Sequence, residues 1–364
     1  MSRTVITTGA IEFGTRAVFS DFDVVWAGPN PFHDGFAFGS EDGRLLFTNE
    51  DIQPVVEAYP ATASGEAING LAYSGGVLAV STRADTTFWW LPLHQDERGA
   101  SASVSAGAHG VVAMADGNFV APMGHSGLLV MKAKAGDKIP VGVSKATEQV
   151  CFYRVAILHN QNGIEVLAFA LRRAGIGFEA FNSKAENTRL NTTTFDQLDV
   201  VDVCAMEPKG LSVAAVGLDG TLILIRNALD LDVSGPVTMR FPAVAGVAYR
   251  LLSSCGHIIL VTSKATYVFV DLAKEFLAGD GLAPIAPPTL VLPMEPIDAC
   301  VYRDKFLLIV TADNSVLRFD LGMIAAGVPK KTAGSDLILL QPTRFQPDWK
   351  QHGVDRGTRE LASI

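Results

Sequence analysis

The feature that most constrains this chain is a period. Seven times along its 364 residues an apolar run ends in a short polar or glycine-bearing turn, and a second run with alternating large side chains follows. The segments are GFAFGSEDGRLLFT, VLAVSTRADTTFWWL, NFVAPMGHSGLLVMK, EVLAFALRRAGIGFEAFN, LSVAAVGLDGTLILIR, IILVTSKATYVFVD and FLLIVTADNSVLRFD. Each has the pattern of a β-hairpin, two period-two runs joined by a turn. The last turn residues are Gly43, Thr86, Gly127, Gly177, Gly220, Thr266 and Ser315, separated by 43, 41, 50, 43, 46 and 49 positions. Four residues past each anchor lies Phe47, Trp90, Met131, Phe181, Leu224, Val270 or Phe319, always bulky and apolar. Two residues past it lies Leu45, Phe88, Leu129, Glu179, Leu222, Val268 or Leu317, apolar in six of seven cases. That alternation marks a half-buried strand. Asp42-Gly43 and Asp219-Gly220 add the positive-φ residues that tight hairpins prefer.

Each hairpin has neighbours. Upstream of the anchors lie DVVWAG, INGLAYS, HGVVAMA, QVCFYRV, VDVCAM, GVAYRLL and IDACVY, and weaker runs such as QPVVEAY, SASVSAG, PVGVS, GPVTMRF and TLVLP often follow. Each period thus reads as four strands, a to d. A period of roughly 40 to 50 residues with several strands in each is the signature of a propeller. The expected fold is all-β, one seven-bladed propeller of four-stranded antiparallel blades over residues 1–345, with 346–364 as a tail. Segments 182–198, 272–288 and 321–336 read as loops, the second with a helical turn at AKEFLA. The ring must close to avoid an open edge. Two segments are candidates for closing it, 4–9 (TVITTG) and 337–345 (LILLQPTRF).

Composition excludes several functions. Apolar residues make up 48% and charged residues 18%, which suits a folded chain with a large core. A net charge of −9 argues against nucleic acid, which calls for clustered Lys and Arg. No apolar run has the length of a membrane span or signal segment, so the expected compartment is the cytoplasm, with no membrane partner. Cys151, Cys204, Cys255 and Cys300 show no CxxC pair and are expected to be buried reduced thiols.

With these seven hairpins over about residues 15–345, the chain resembles the WD-repeat-like propeller superfamily. The resemblance is architectural. Where that family's strand c ends in Trp-Asp, the pairs here are Phe47-Thr48, Trp90-Leu91, Met131-Lys132, Phe181-Asn182, Leu224-Ile225, Val270-Asp271 and Phe319-Asp320. Only the last two keep the acid and only one keeps the Trp, and the family's Gly-His pair is missing from nearly all blades. The resemblance implies a hub for protein or peptide binding on the ring's faces and rim.

No HExxH, GxSxG or Walker loop is present, so the sequence proposes no catalytic residue, cofactor or metal ligand set. Two clusters remain. The first polar residue of each strand a gives Asp23, Asn69, His109, Gln149, Asp202 and Asp298, a polar ring expected at one mouth of the central tunnel. Such donors could hold a cation, which is the basis of an alternative reading as a metal-dependent propeller hydrolase or lyase. The b–c turns carry Arg83, Asp85, His125, Arg172, Arg173 and Lys264, a mixed-charge surface suited to a partner protein or peptide. Trp89, beside Trp90, points either into a blade interface or to solvent. The expected function is a non-catalytic interaction scaffold or adaptor, a role that would also suit a subunit of a larger complex.

Overall fold

A computed structural model describes residues 6–11, 14–56, 58–90, 101–132, 141–145, 150–159, 165–181, 191–193, 198–207, 210–228, 238–240, 246–278, 289–292 and 294–327. Among the described residues the strands form seven antiparallel sheets, six of four strands and one of five. The inner strands a are Val24–Pro29, Gly70–Ser74, Val112–Ala113, Arg154–His159, Val200–Ala205, Ala248–Ser254 and Pro296–Tyr302. The outer strands d of the first six blades are Tyr59–Pro60, Ser101–Val104, Val141–Lys145, Asn191–Thr193, Thr238–Arg240 and Thr289–Val291. Asn191–Thr193 falls inside a segment that reads as loop. Three polar residues carry no apolar signal, and only their pairing with Ile176–Phe178 makes them a strand. The inner strand of the fourth blade begins at Arg154, not within the apolar QVCF run before it.

The near-continuous apolarity of strands b has a simple cause. Successive side chains point to opposite faces of a sheet, and here both faces are covered by neighbouring blades. In Phe36–Ser40, Phe36 and Phe38 enter the core between the last and first blades, while Ala37 enters the core between the first and second. In His257–Thr262, Ile258 and Leu260 face the fifth blade, and Ile259 and Val261 face the seventh. Seven apolar clusters result, one for each pair of adjacent blades, so the hydrophobic core is itself a ring. The position two past each anchor is buried in all seven blades, Glu179 included. Trp89 takes the interface alternative: it packs beside Trp26 and Leu45, and its indole N–H donates to the Ala61 carbonyl at 2.8 Å.

Ring closure uses the N-terminus. Gly14–Phe19 pairs with Ser315–Asp320 as the fourth strand of the last blade, and Ile6–Ile11 adds a fifth strand outside it. Of the candidate segment 4–9, the described residues 6–9 therefore contribute from the outermost position, one strand further out than a direct closing strand. Segment 337–345, like the tail 346–364, lies outside the described residues. Arg16 forms an ion pair with Asp313 across the closing strands. Asn314, in the b–c turn of the last blade at φ 60°, donates to the Phe19 carbonyl at 2.9 Å and accepts from the Val24 N–H at 2.8 Å. One side chain thus joins the turn, the closing strand and the start of the first blade.

The expected helical turn is the helix Leu272–Ala278, which buries Leu272, Ala273 and Phe276, and a second short helix spans Leu321–Gly327. No helix among the described residues is long and apolar enough to cross a membrane. All four cysteines are free. Cys151 and Cys300 are buried as expected and Cys204 is half-buried, whereas Cys255 is exposed in a left-handed a–b turn.

Replacing Asn314 by alanine leaves a strand N–H and a strand carbonyl without their partner. The variant should unfold in urea with about 1–3 kcal/mol less stability than the parent, and an unchanged midpoint would show that Asn314 has no part in closure.

Candidate functional site

The residue preceding each inner strand, or in the third blade His109 three positions before Val112, sits against the b–c turn of its own blade. The carbonyls of Asp23, Asp199, Val247 and Glu295 accept from the N–H groups of Glu41, Leu218, Ser263 and Ala312 at 2.8–2.9 Å. Asn69, His109 and Tyr153 donate to Ser81, Pro122 and Ala170 at 3.0, 2.8 and 2.9 Å. Tunnel mouth and turn face are therefore one surface. Its inner rim consists of Asp23, Asn69, His109, Tyr153, Asp199, Val247 and Glu295.

This corrects the polar ring. Asp23, Asn69 and His109 lie on the rim, but Asp202 and Asp298 sit three residues further along their strands and are buried. The physical reason is that these two strands begin further upstream, pairing from Val200 with Gly217 and from Pro296 with Thr311, so that Asp199 and Glu295 take the rim positions. Register shifts occur between Val24 and Trp26, Val200 and Asp202, Ala248 and Arg250, and Pro296 and Asp298, so the inner strand of four blades carries one extra residue. The equivalents of Asp202 and Asp298 are thus Trp26 and Arg250. Gln149 lies outside the described residues. Among the described residues no three His, Cys, Asp or Glu side chains come together as a metal-holding group.

The two displaced aspartates bind the ring together. The Asp202 carboxylate accepts the Leu251 N–H of the next blade at 2.8 Å, and Asp298 accepts the Ala27 N–H of the first blade at 3.2 Å. Arg250, in the blade between them, lies 3.7 Å from Asp202 and 3.1 Å from Asp298, and donates to the Ala299 carbonyl at 3.2 Å. Burial works against the guanidinium charge, but the two carboxylates overcome it and hold the Arg250 pKa above the arginine norm. Removing one member of such a group strands the others in a low-dielectric interior, at a cost of roughly 3–5 kcal/mol.

Of the turn residues, Arg83, His125, Arg173 and Lys264 are exposed and Arg172 is half-buried. Asp85 is not available to a partner. It is 4% exposed and accepts from the hydroxyls of Ser64, Thr82, Thr87 and Ser103 at 2.6–3.0 Å, and from the Ala63 N–H at 3.1 Å. Burial works to raise its pKa, but those four hydroxyls outweigh burial and hold it below the usual carboxylate range. The same device recurs more openly elsewhere: Asp42 accepts from Ser40, Asp313 from Thr311 and Ser315, and Asp219 from Thr221. A turn aspartate bonded to a nearby hydroxyl therefore recurs in four blades among the described residues.

Sequence reasoning missed Tyr153, Arg154 and Asp199. Arg172 and Asp199 form an ion pair in which Nη2 donates to Oδ2 at 3.0 Å and Nε lies 3.0 Å from Oδ1. The guanidinium carbons of Arg172 and Arg154 lie 5.0 and 5.9 Å from the centre of the Tyr153 ring, and the His109 ring lies 4.9 Å from it. Arg154 also donates to the His109 carbonyl at 2.9 Å. In four blades the last hydroxyl of strand b marks the start of strand a, as Val24, Gly70, Ala248 and Pro296 pair with Ser40, Ser81, Thr262 and Thr311, but the fourth and fifth blades pair Arg154 with Ala170 and Val200 with Gly217, so no such signal points to these three residues.

No protein-family model and no curated protein matches the sequence. Solved structures do. The β-propeller domain of Cps50 (Swd1) from Myceliophteria thermophila superposes with a TM-score of 0.64 at 12% identity, covering 84% of this chain and 99% of that one. The WD40 β-propeller domain of Doa1 superposes with a TM-score of 0.58 at 13% identity, covering 83% of this chain and 93% of that one. The fold is that of a WD-repeat-like β-propeller.

His109 is the titratable group that this site perturbs most usefully. Burial, followed by the charges of Arg154, Arg83 and Arg172, lowers its pKa from 6.5 to about 4. Because the unfolded chain takes up this proton more readily, His109 contributes its full stability above the ordinary histidine range, and that contribution is lost as pH falls through about 4. Urea unfolding from pH 7 to pH 4 should show stability falling, and His109→Gln should flatten the fall. A slope that is the same in parent and variant would remove this assignment.

Proposed function

We propose that this protein is a non-catalytic scaffold or adaptor that binds a partner protein or peptide through the face made by its b–c turns and inner-strand starts. The observation that carries the reading is how that face displays charge. Arg83 stands on a turn in which the Thr82 hydroxyl accepts from Ala84 and Asp85 N–H groups at 3.1 and 3.0 Å. Lys264 stands on a turn in which Thr262 accepts from Lys264 and Ala265 N–H groups at 3.3 and 3.2 Å. Both charges ride on backbones that are already ordered, which lowers the entropy lost when a partner docks. Exposed Asp42 and Asp219 on neighbouring turns give the face both signs of charge. Mixed charge suits the patterned surface of a protein and disfavours a uniform polyanion. The WD40 resemblance supports the same reading by analogy of fold. The four free thiols suit a reducing compartment, and we infer the cytoplasm as the place of action.

The test is affinity capture from the native host with mass spectrometry, using the parent and an Arg83→Glu/Arg173→Glu/Lys264→Glu variant. The reading expects one or a few proteins bound in near-stoichiometric amount by the parent and lost at least about tenfold by the variant, since reversed charges at an interface repel, with an unchanged melting temperature. Capture of the same proteins by both, or of none by either, would contradict it.

A further inference from the structure

Short helices follow strand c in the sixth and seventh blades, Leu272–Ala278 and Leu321–Gly327, and their first turns are held by different acceptors. Strands b and c place the two turns in register. Ile258 pairs with Phe269 and Phe306 with Asp320, and the same count carried on sets Asp271 opposite Gly256 and Leu321 opposite Lys305. In the seventh blade the Leu321 N–H donates to the Lys305 carbonyl at 2.9 Å. In the sixth, the Gly256 carbonyl is taken by the Ala273 N–H at 3.0 Å, and the Asp271 N–H donates instead to Nδ1 of His257 at 3.0 Å. The seventh-blade counterpart of His257 is Phe306, whose ring has no nitrogen to offer. Helix and turn are seated closely in the sixth blade: at Gly256, φ 84°, a Cβ would stand 3.3 Å from that of Lys274.

A ring nitrogen that accepts a hydrogen bond carries no proton, so this contact exists only with a neutral imidazole protonated at Nε2. A proton on Nδ1 would set one N–H against another. It would turn instead to the Asp271 carboxylate, whose Oδ1 lies 3.8 Å from Nδ1. Asp271 is left-handed, with φ 55°, a conformation costly for a residue other than glycine, so loss of the Nδ1 bond frees a backbone that relaxes away from it. The His257 side chain is 12% exposed. Burial is the largest influence on its pKa and lowers it; Asp271 raises it, Lys274 lowers it and Asp304 raises it, and the net shift is downward. Asp271 and Lys274 lie 3.7 Å apart on the helix side. Asp304 comes from the a–b turn of the seventh blade, where its carboxylate accepts from the Ser254 hydroxyl at 2.8 Å and its carbonyl from the Cys255 thiol at 3.7 Å. At the other end of the helix Arg226 donates to the Phe276 carbonyl at 2.7 Å and lies over the Phe276 ring.

We propose that His257 is a pH-operated clasp: neutral, it holds the first turn of the helix Leu272–Ala278 against the a–b turn of the sixth blade, and protonated at Nδ1 it releases that turn while Arg226 keeps the Phe276 end in place. The clasp lies on the face opposite the b–c turns and does not depend on the scaffold reading. The closed turn resists protonation of His257, so its stability is complete above the ordinary histidine range and is lost progressively as pH falls through the lowered value of the folded chain. In the seventh blade the matching acceptor is a main-chain carbonyl, which takes up no proton.

The experiment is amide hydrogen exchange on the full chain, corrected for the intrinsic effect of pH, as pH is lowered in steps from neutrality until the chain unfolds, together with an NMR titration of the His257 ring. The neutral ring should carry its proton on Nε2 and titrate below the ordinary histidine range. Protection at 271–275 should fall by about tenfold for each pH unit between the ordinary histidine value and the measured His257 value, the response to one linked proton, and level off below it. Protection at 321–325 should not follow. In His257→Gln the side-chain oxygen can accept the Asp271 N–H at any pH, and in His257→Phe the position copies the seventh blade; in both, the pH dependence at 271–275 should vanish. If neither variant folds, the match in the parent between the size of the fall and the His257 titration decides. A neutral ring protonated at Nδ1, protection that stays flat through the titration, or a fall shared by 321–325 or kept in either variant would overturn the inference. So would a His257 that stays neutral until the whole chain unfolds.

Discussion

Asp202, Arg250 and Asp298 come from three consecutive blades, and the contacts among them hold the innermost strands in register. Hydrophobic clusters between blades favour stacking, but apolar contact is non-directional and leaves the blades room to slide or tilt. A carboxylate that accepts a backbone N–H of the next blade removes that freedom. Asp202 does so toward Leu251 and Asp298 toward Ala27, with Arg250 between them supplying the opposite charge. The second of these bonds joins the last blade to the first. Together with Asn314 it makes closure of the ring a matter of specific polar contacts added to general apolar burial.

That arrangement bears on function because it accounts for the carboxylates a reader of the sequence would most readily assign to chemistry. Asp202 and Asp298 hold blades in register, and Asp85 organises a turn through four hydroxyls. The rim itself carries a different set, Tyr153, Arg154 and Asp199, with Arg172 packed against Tyr153 and paired to Asp199.

The hairpins were legible because their determinants are local. Period-two alternation, Asp-Gly turns and a bulky residue four positions past each anchor all fall within a dozen or so residues. Features that depend on distant pairing were not. Gly14–Phe19 closes a blade whose other strands begin at Pro296, and nothing in GTRAVF announces that partner. Asn191–Thr193 is a strand only because Ile176–Phe178 lies beside it. The candidate site failed at the strand starts: Val200 and Pro296 already pair with strand b, so Asp202 and Asp298 lie three residues inside the register of Asp23 and Asn69, and Asp199 takes the place on the rim. Arg172 was legible as a turn residue, but its convergence with Arg154 on Tyr153 depends on how the blade folds and on the neighbours packed beside it.

The most direct test of this account is hydrogen exchange measured strand by strand in the parent and in Arg250→Met. If the inter-blade contacts hold the ring as a unit, amides in 200–205, 248–254, 296–302 and 24–29 should lose protection together, by about tenfold or more, while the strand at 44–48 is unaffected. Loss of protection confined to 248–254, or none at all, would show that the blades are held by apolar packing alone and would contradict the central claim.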